Sequence, residues 1–309
     1  MKRIFITGGG GYVGSVLIPK LLDLNYFVTV YDLFLYGEDK LDNHKNLKKI
    51  KADIRSIDDI ERGSKDHDVF LHLACISNDP SFELNPMLGK SINLDAFEPI
   101  VQAAKKNNIS HFIFASSSSV YGLKDEKNVT EDISLEPLTD YSKYKVEGEK
   151  ILNKYHSNKF NTTVIRPATV CGYGKRQRLD VVVNILTSLA FYKNEITVFG
   201  GDQLRPNIHI QDMAQSYIDV IESSMEKVSK QTFNVGYDNM KVIDIGISIK
   251  NIIGENVKLI RVSTDDNRSY HISSKKINDI IGFKPKHTVK DAILAVSYTH
   301  LTLPTKRIV

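Results

Sequence analysis

The sequence predicts an α/β fold, a doubly wound parallel sheet with a smaller α/β lobe at its C-terminal side. Three observations carry that expectation. Short β-branched and aromatic runs alternate with amphipathic helical runs through the first half. A glycine-rich turn joins the first strand to the first helix, and an acidic residue closes the second strand. Strands that alternate with helices pair in parallel, and the crossover helices cover both faces of the sheet.

The elements follow in order. Arg3–Thr7 (RIFIT) is a short apolar strand, and residues 12–24 carry helical spacing at Val13, Val16, Leu17, Leu21 and Leu24. Phe27–Tyr31 (FVTVY) reads as the second strand, and Ile50 and Ala52 lie near the end of a third. Asp68–Leu73 and His111–Ala115 give the fourth and fifth, with a helix over Ile92–Lys106 between them. A helix near Tyr141–Tyr155 precedes the sixth strand, Thr162–Ile165. In the second half, helical patterns near Asp180–Phe191, Gln211–Met225 and Val242–Ile253 are separated by short strands at Thr197–Phe199 and Thr232–Val235. The predicted division is therefore residues 1–167 for the first domain and 168–296 mainly for a substrate lobe.

Composition narrows the function. Hydrophobic residues make up 41% and charged residues 25%, which excludes disordered and fibrous classes. A net charge of +4, from 41 basic and 37 acidic residues, gives no electrostatic footprint for nucleic acid. The basic run Lys45–Lys51 reads as a solvated loop and strand edge. Two cysteines, Cys75 and Cys171, cannot build a disulfide framework, so a reducing cytoplasm is the expected setting. No signal peptide is expected, since the chain begins directly with a strand and the glycine turn, and no apolar run is long enough to span a bilayer. The final stretch, Ser297–Val309 (SYTHLTLPTKRIV), follows a helical pattern that stops near Leu294 and resembles cloning read-through more than a native terminus.

The glycine turn runs Thr7-Gly8-Gly9-Gly10-Gly11-Tyr12-Val13-Gly14. With glycine at positions 8, 11 and 14, the first permits the tight turn, the second lets backbone approach a pyrophosphate, and the third lets the helix pack closely. The helix N-terminus then turns free N–H groups toward the phosphates. Asp32 ends the second strand, where a carboxylate binds ribose hydroxyls and repels a 2′-phosphate. No arginine follows within Leu33-Phe34-Leu35-Tyr36. The predicted cofactor is NAD, bound by a Rossmann-type domain.

A second constellation concerns proton transfer. Tyr141 and Lys145 stand four residues apart at the start of a predicted helix and share a face. A lysine there stabilises the phenolate, which then acts as general base toward a hydroxyl. Ser117 lies just beyond the fifth strand, at the carboxyl end where ligands bind in such sheets.

Taken in order, these segments resemble the extended short-chain dehydrogenase/reductases, specifically the NAD-dependent epimerase/dehydratase group that includes UDP-glucose 4-epimerase. The resemblance spans about residues 1–295. It rests on TGGGGYVG, the Asp53-Ile54 pair, His72-Leu73-Ala74, SSSVYG, YSKYK, Arg166-Pro167-Ala168-Thr169 and the Arg205–Asp212 segment RPNIHIQD. It implies that Tyr141 is the acid/base, that Lys145 also binds the nicotinamide ribose, and that Ser117 holds the reacting sugar oxygen. It further implies that Gly8, Gly11, Tyr12, Val13, Gly14, Asp32, Asp53, Ile54, Leu73, Ala74 and Asn93 line the cofactor, with Asp53 at the adenine. Thr169 and Arg205 would face the nucleotide sugar, Arg205 at its diphosphate, with Arg268 a second candidate.

The implied chemistry is oxidation at C4 of the sugar. Dehydratases of this resemblance carry Asp-Glu directly after the serine or threonine, and decarboxylating synthases carry Glu just before VYG. This chain has Ser118 and Ser119 there, and serine is a poor acid or base without an activating partner. That leaves a nucleotide-sugar 4-epimerase, then a keto-sugar reductase or dehydrogenase, then a non-catalytic NAD-binding regulator. Thr169, Cys171 and the basic run Gly174–Arg178 depart from the UDP-hexose epimerase pattern. A homodimer through the helices at Ile92–Lys106 and Tyr141–Tyr155 is implied by resemblance alone. His44, His67, His111, His209 and His271 show no metal-ligand spacing, and no metal is expected.

Overall fold

The computed structural model describes residues 1–302 except 78, 125, 127, 265–268 and 270. β1 (Arg3–Thr7), α1 (Gly14–Asp23), β2 (Phe27–Asp32), β3 (Leu47–Lys51), α2 (Ile57–Ser64) and β4 (Val69–His72) open the chain. Next come α3 (Asp79–Leu84), α4 (Pro86–Lys90), α5 (Phe97–Lys106), β5 (His111–Ala115), α6 (Asp140–Tyr155) and β6 (Asn161–Pro167). The second half holds β7 (Thr169–Cys171), α7 (Val182–Lys193), β8 (Glu195–Phe199), β9 (Leu204–His209), α8 (Ile210–Glu222) and α9 (Met225–Val228). It ends with β10 (Gln231–Val235), β11 (Asp238–Lys241), α10 (Val242–Ile253), β12 (Lys258–Val262), α11 (Lys275–Ile281) and α12 (Val289–Thr302).

Seven strands form one parallel sheet in the order β10-β6-β5-β4-β1-β2-β3. Strand order reverses between β1 and β4, so the loops leaving these two strands open a crevice at the carboxyl edge. Alternation along β1 divides the core. Phe5 joins Phe70, Phe112 and Phe97 on one face, while Ile4 and Ile6 join Leu17, Leu21 and Tyr217 on the other. All three β1 residues are fully buried, as a strand covered on both faces requires.

A third core, around Val183, Ile196, Val198, Ile245 and Ile293, belongs to the second lobe. There β7 and β11 flank β9, and β8 pairs with β12.

Three sequence expectations are corrected here. The strand at Thr232–Val235, assigned by sequence to the second lobe, is β10 and pairs in parallel with β6 in the main sheet. Its Thr-Phe-Asn-Val run reads as a strand anywhere; only tertiary pairing decides its sheet. The helix expected over Ile92–Lys106 begins at Phe97, after a π-turn over Ser91–Asp95. The last helical pattern does not stop near Leu294: α12 continues to Thr302, with Val296 and Ser297 buried.

Candidate active site

The glycine turn is shaped by three different constraints. Gly8 has φ +74°, and a Cβ there would lie 2.4 Å from the Ala74 backbone nitrogen. Backbone leaving β1 thus presses directly on backbone leaving β4. At Gly14 a Cβ would lie 2.0 Å from the Gly9 carbonyl oxygen, so α1 packs against the turn itself. At Gly11 a Cβ would meet only the Gly8 oxygen, at 3.1 Å, and the turn is otherwise open there. That opening at the N-terminus of α1 fits a dinucleotide pyrophosphate.

Asp32 closes β2 beside this opening. Its carboxylate accepts from the Gly10 N–H at 3.0 Å and the Phe34 N–H at 2.6 Å. Burial raises its pKa from the ordinary value, and these two hydrogen bonds oppose the rise. Asp53 accepts from the Arg55 backbone N–H and Nε, both at 2.9 Å, and its carboxyl is held low by Arg55. Ile54 is buried beside it. The amide of Asn93 pins the loop after β4, since it accepts from the Ile76 N–H and donates to the Ile76 oxygen, each at 2.9 Å. Leu73 and Ala74 are half-buried at the carboxyl end of β4, against Gly8. Tyr12 is buried and joins the two lobes: its hydroxyl donates to the Gly172 oxygen at 2.6 Å and accepts from Asn184 at 3.1 Å. Half-buried Val13 is the N-cap of α1.

Helix α6 starts where it does because Thr139 and Ser142 form a capping box. Tyr141 therefore sits in the first turn, with Lys145 and Glu149 below it at successive four-residue steps. Lys145 is 4% exposed; its Nζ donates to the Ala115 oxygen at 2.6 Å and lies 5.7 Å from the Tyr141 ring centroid. The end of β5 is thus tied to the Tyr141 face of α6. Ser117 follows two residues later, half-buried, with its Oγ 2.9 Å from Ser119 Oγ. Beneath, His72 bonds Thr7 at 2.8 Å, and burial together with the Lys145 charge pushes its pKa down to about 3.

A buried ion pair backs this platform. Arg166 on β6 donates to Glu149 on α6 at 3.0 and 2.6 Å, and to the Tyr121 hydroxyl at 2.8 Å. Glu149 also accepts from the Ser116 hydroxyl, directly before Ser117.

From the second lobe, Thr169 on β7 pairs in register with Asn207 on β9, two residues from Arg205. Both Thr169 and Arg205 are half-buried, and Arg205 Nη1 donates to the Leu204 oxygen at 3.1 Å. Arg268 lies outside the described residues. Arg178 joins the candidate site although sequence reasoning did not single it out. It bonds Asp180 at 2.8 and 2.9 Å and the Ser77 oxygen at 3.2 Å, within electrostatic reach of Tyr141 and Cys75. The only signal was the basic density of Gly174–Arg178. Cys171 is fully buried, and burial drives its thiol pKa up, which suits a packing role.

A Rossmann-type sheet with a dinucleotide turn at its switch point, and with Ser117, Tyr141 and Lys145 grouped beyond the neighbouring β5, defines a nicotinamide-dependent α/β enzyme. Residues 4–236 match the profile of the NAD dependent epimerase/dehydratase family. A UDP-glucose 4-epimerase of Lactobacillus helveticus is 24% identical over 320 residues, covering 96% of each chain. Among solved structures, a UDP-N-acetylglucosamine 4-epimerase from Methanobrevibacter ruminantium M1 superposes with TM-score 0.86 at 26% identity, over 97% of this chain and 99% of that one. A UDP-glucuronic acid 4-epimerase from Bacillus cereus shares the fold at TM-score 0.87 and 24% identity, over 97% and 99%. The chain belongs to the NAD-dependent epimerase/dehydratase family, whose members are nucleotide-sugar epimerases and dehydratases, and NAD is its cofactor.

Proposed function

We propose that the protein is a nucleotide-sugar 4-epimerase. The observation that carries this choice is the turn after β5. Residues 117–121 are Ser-Ser-Ser-Val-Tyr, so the turn carries no carboxyl group; Ser118 is buried and Ser119 is bonded to Ser117. A 4,6-dehydratase needs additional acid/base groups next to the serine, and hydroxyls do not supply them. Epimerisation needs only one base and one orienting hydroxyl.

Tyr141 as phenolate takes the proton from the C4 hydroxyl, while Lys145 holds the phenolate form. Ser117 donates a hydrogen bond to the same sugar oxygen and fixes its distance to Tyr141. NAD, when bound, would supply the acceptor and donor of the C4 hydride. Tyr141, protonated by the first transfer, would return its proton to the same sugar oxygen once the keto sugar has turned over. Arg205 binds the diphosphate and Thr169 faces the sugar, at the mouth formed by β7 and β9. The same reading places the enzyme in the cytoplasm as a homodimer, testable as a solution mass of twice 34.9 kDa.

The test uses purified protein without added cofactor, mixed in turn with UDP-glucose, UDP-N-acetylglucosamine and their C4 epimers, with anomeric protons followed by NMR. Interconversion of one pair is expected. Consumption of added NADH by a 4-keto sugar, without interconversion of any pair in the presence of NAD, would replace this reading with a reductase.

A further inference from the structure

The loop after β7 crosses from the second lobe to the adenosine end of the first. It is anchored along its length. The Gly172 oxygen accepts from Tyr12, Gly174 sits so close to α1 that a Cβ would lie 2.9 Å from Ser15 Oγ, and Lys175 pairs with Asp42 in the segment after β2. Directly after these anchors the Arg176 guanidinium lies over the Tyr36 ring, 3.8 Å from its centroid. Tyr36 is four residues past Asp32, and the Arg176 charge reaches the Asp32 carboxylate.

Two features of this arrangement leave charge at the ribose end incompletely answered. Arg176 Nε is buried and has no hydrogen-bond partner among the described residues. A buried unpaired guanidinium N–H costs free energy unless something binds it. Its Nη1 makes a long hydrogen bond, 3.5 Å, to the Gln177 oxygen. Asp32, meanwhile, has both carboxylate oxygens engaged by backbone N–H groups, so part of its negative field is already answered.

We propose that Arg176 is a specificity-determining residue at the 2′ position of the adenosine ribose, and that the site therefore admits the 2′-phosphorylated dinucleotide alongside NAD. This rests on the assignment of Asp32 to the ribose. Asp32 alone repels a 2′-phosphate. A guanidinium centred over the Tyr36 ring and within electrostatic reach of Asp32 places a cation beside the ribose end, which offsets that repulsion. The sequence hides this cation because it lies 144 residues from Asp32, on the other lobe, and not in the segment directly after β2.

The test compares 5′-ADP with 2′,5′-ADP by calorimetry on protein stripped of nucleotide. In the wild type, the two probes should bind within about tenfold of each other, because a charge-assisted hydrogen bond is worth roughly tenfold to a hundredfold. In Arg176→Ala, 2′,5′-ADP should weaken by roughly tenfold more than 5′-ADP does. Arg176→Gln, which retains bulk over Tyr36, should behave like Arg176→Ala. If the ratio of the two affinities is unchanged in both variants, the proposal fails while the dinucleotide site stands. If 5′-ADP does not bind the wild type, the dinucleotide site fails and the proposal with it.

Discussion

Removing the Glu149 carboxylate should be costly out of proportion to its distance from the substrate. Glu149 and Arg166 are 9% and 5% exposed, and they meet through two hydrogen bonds. In Glu149→Leu the guanidinium stays buried with Tyr121 and the Glu131 carbonyl as its remaining partners. Breaking a buried pair from one side costs about 3–5 kcal/mol, most of it the desolvated charge left behind. With roughly 2.1 cal/mol/K of unfolding entropy per residue, the loss lowers the midpoint by about 5–8 °C for a chain of 309 residues.

Thermal and urea unfolding followed by circular dichroism would measure it. The double variant Glu149→Leu with Arg166→Met separates the pair from its surroundings. Apolar replacement of both partners removes the orphaned charge, so the double variant should be more stable than Glu149→Leu alone. A loss below about 1 kcal/mol in Glu149→Leu would show that water or another group reaches Arg166, and would refute the reasoning.

Other outcomes follow from the same geometry. Tyr141→Phe should lower kcat by about a thousandfold or more while NAD still binds, checked by progress curves and calorimetry. Gly11→Ala should fold with at most a small loss of melting temperature, since its Cβ presses only on the Gly8 oxygen, yet weaken NAD by about tenfold or more through contact with the pyrophosphate. Buried His111 has its pKa pushed down to about 3, so the unfolded chain binds a proton that the folded chain refuses. Its stabilising share is present above the unfolded value and is lost as pH falls below it. Stability in His111→Gln should fall less steeply between about pH 6 and 4, by about 1.4 kcal/mol per pH unit, in urea titrations.

The first half of the fold is legible because its signals are local. β1 and β5 carry the bounds the pattern gives, since runs such as RIFIT and HFIFA hold three or four consecutive apolar residues between polar ones. The start of α6 is equally local, fixed by Thr139 and Ser142 three residues apart. What the pattern does not contain is which strand lies beside which. β10 sits at the edge of the main sheet because its Phe233 and Val235 complete the core over α11 and α8, a fact about partners far away in the chain. The π-turn before α5 is hidden for a related reason. Asn93 is drawn toward the Ile76 backbone, and a helix of unbroken spacing would not explain that bond.

The site follows the same division. Glycines, Asp32, Ser117, Tyr141 and Lys145 lie on loops and helix starts of the first domain, where spacing alone places them at one sheet edge. Arg176 and Arg178 reach that edge only because the chain returns to it. β6 leads to the second lobe, the loop after β7 falls back across α1, and β10 rejoins the sheet next to β6. The chain leaves the first lobe with β7, returns with α8 and β10, leaves again with α10, returns with α11 and leaves once more with α12, so the lobes are interleaved rather than serial. Tyr12 illustrates the consequence. Its backbone belongs to the dinucleotide turn, and its hydroxyl is held by Gly172 and Asn184 of the other lobe. A change at that hydroxyl acts on cofactor binding through lobe placement, with no contact to the phosphates required.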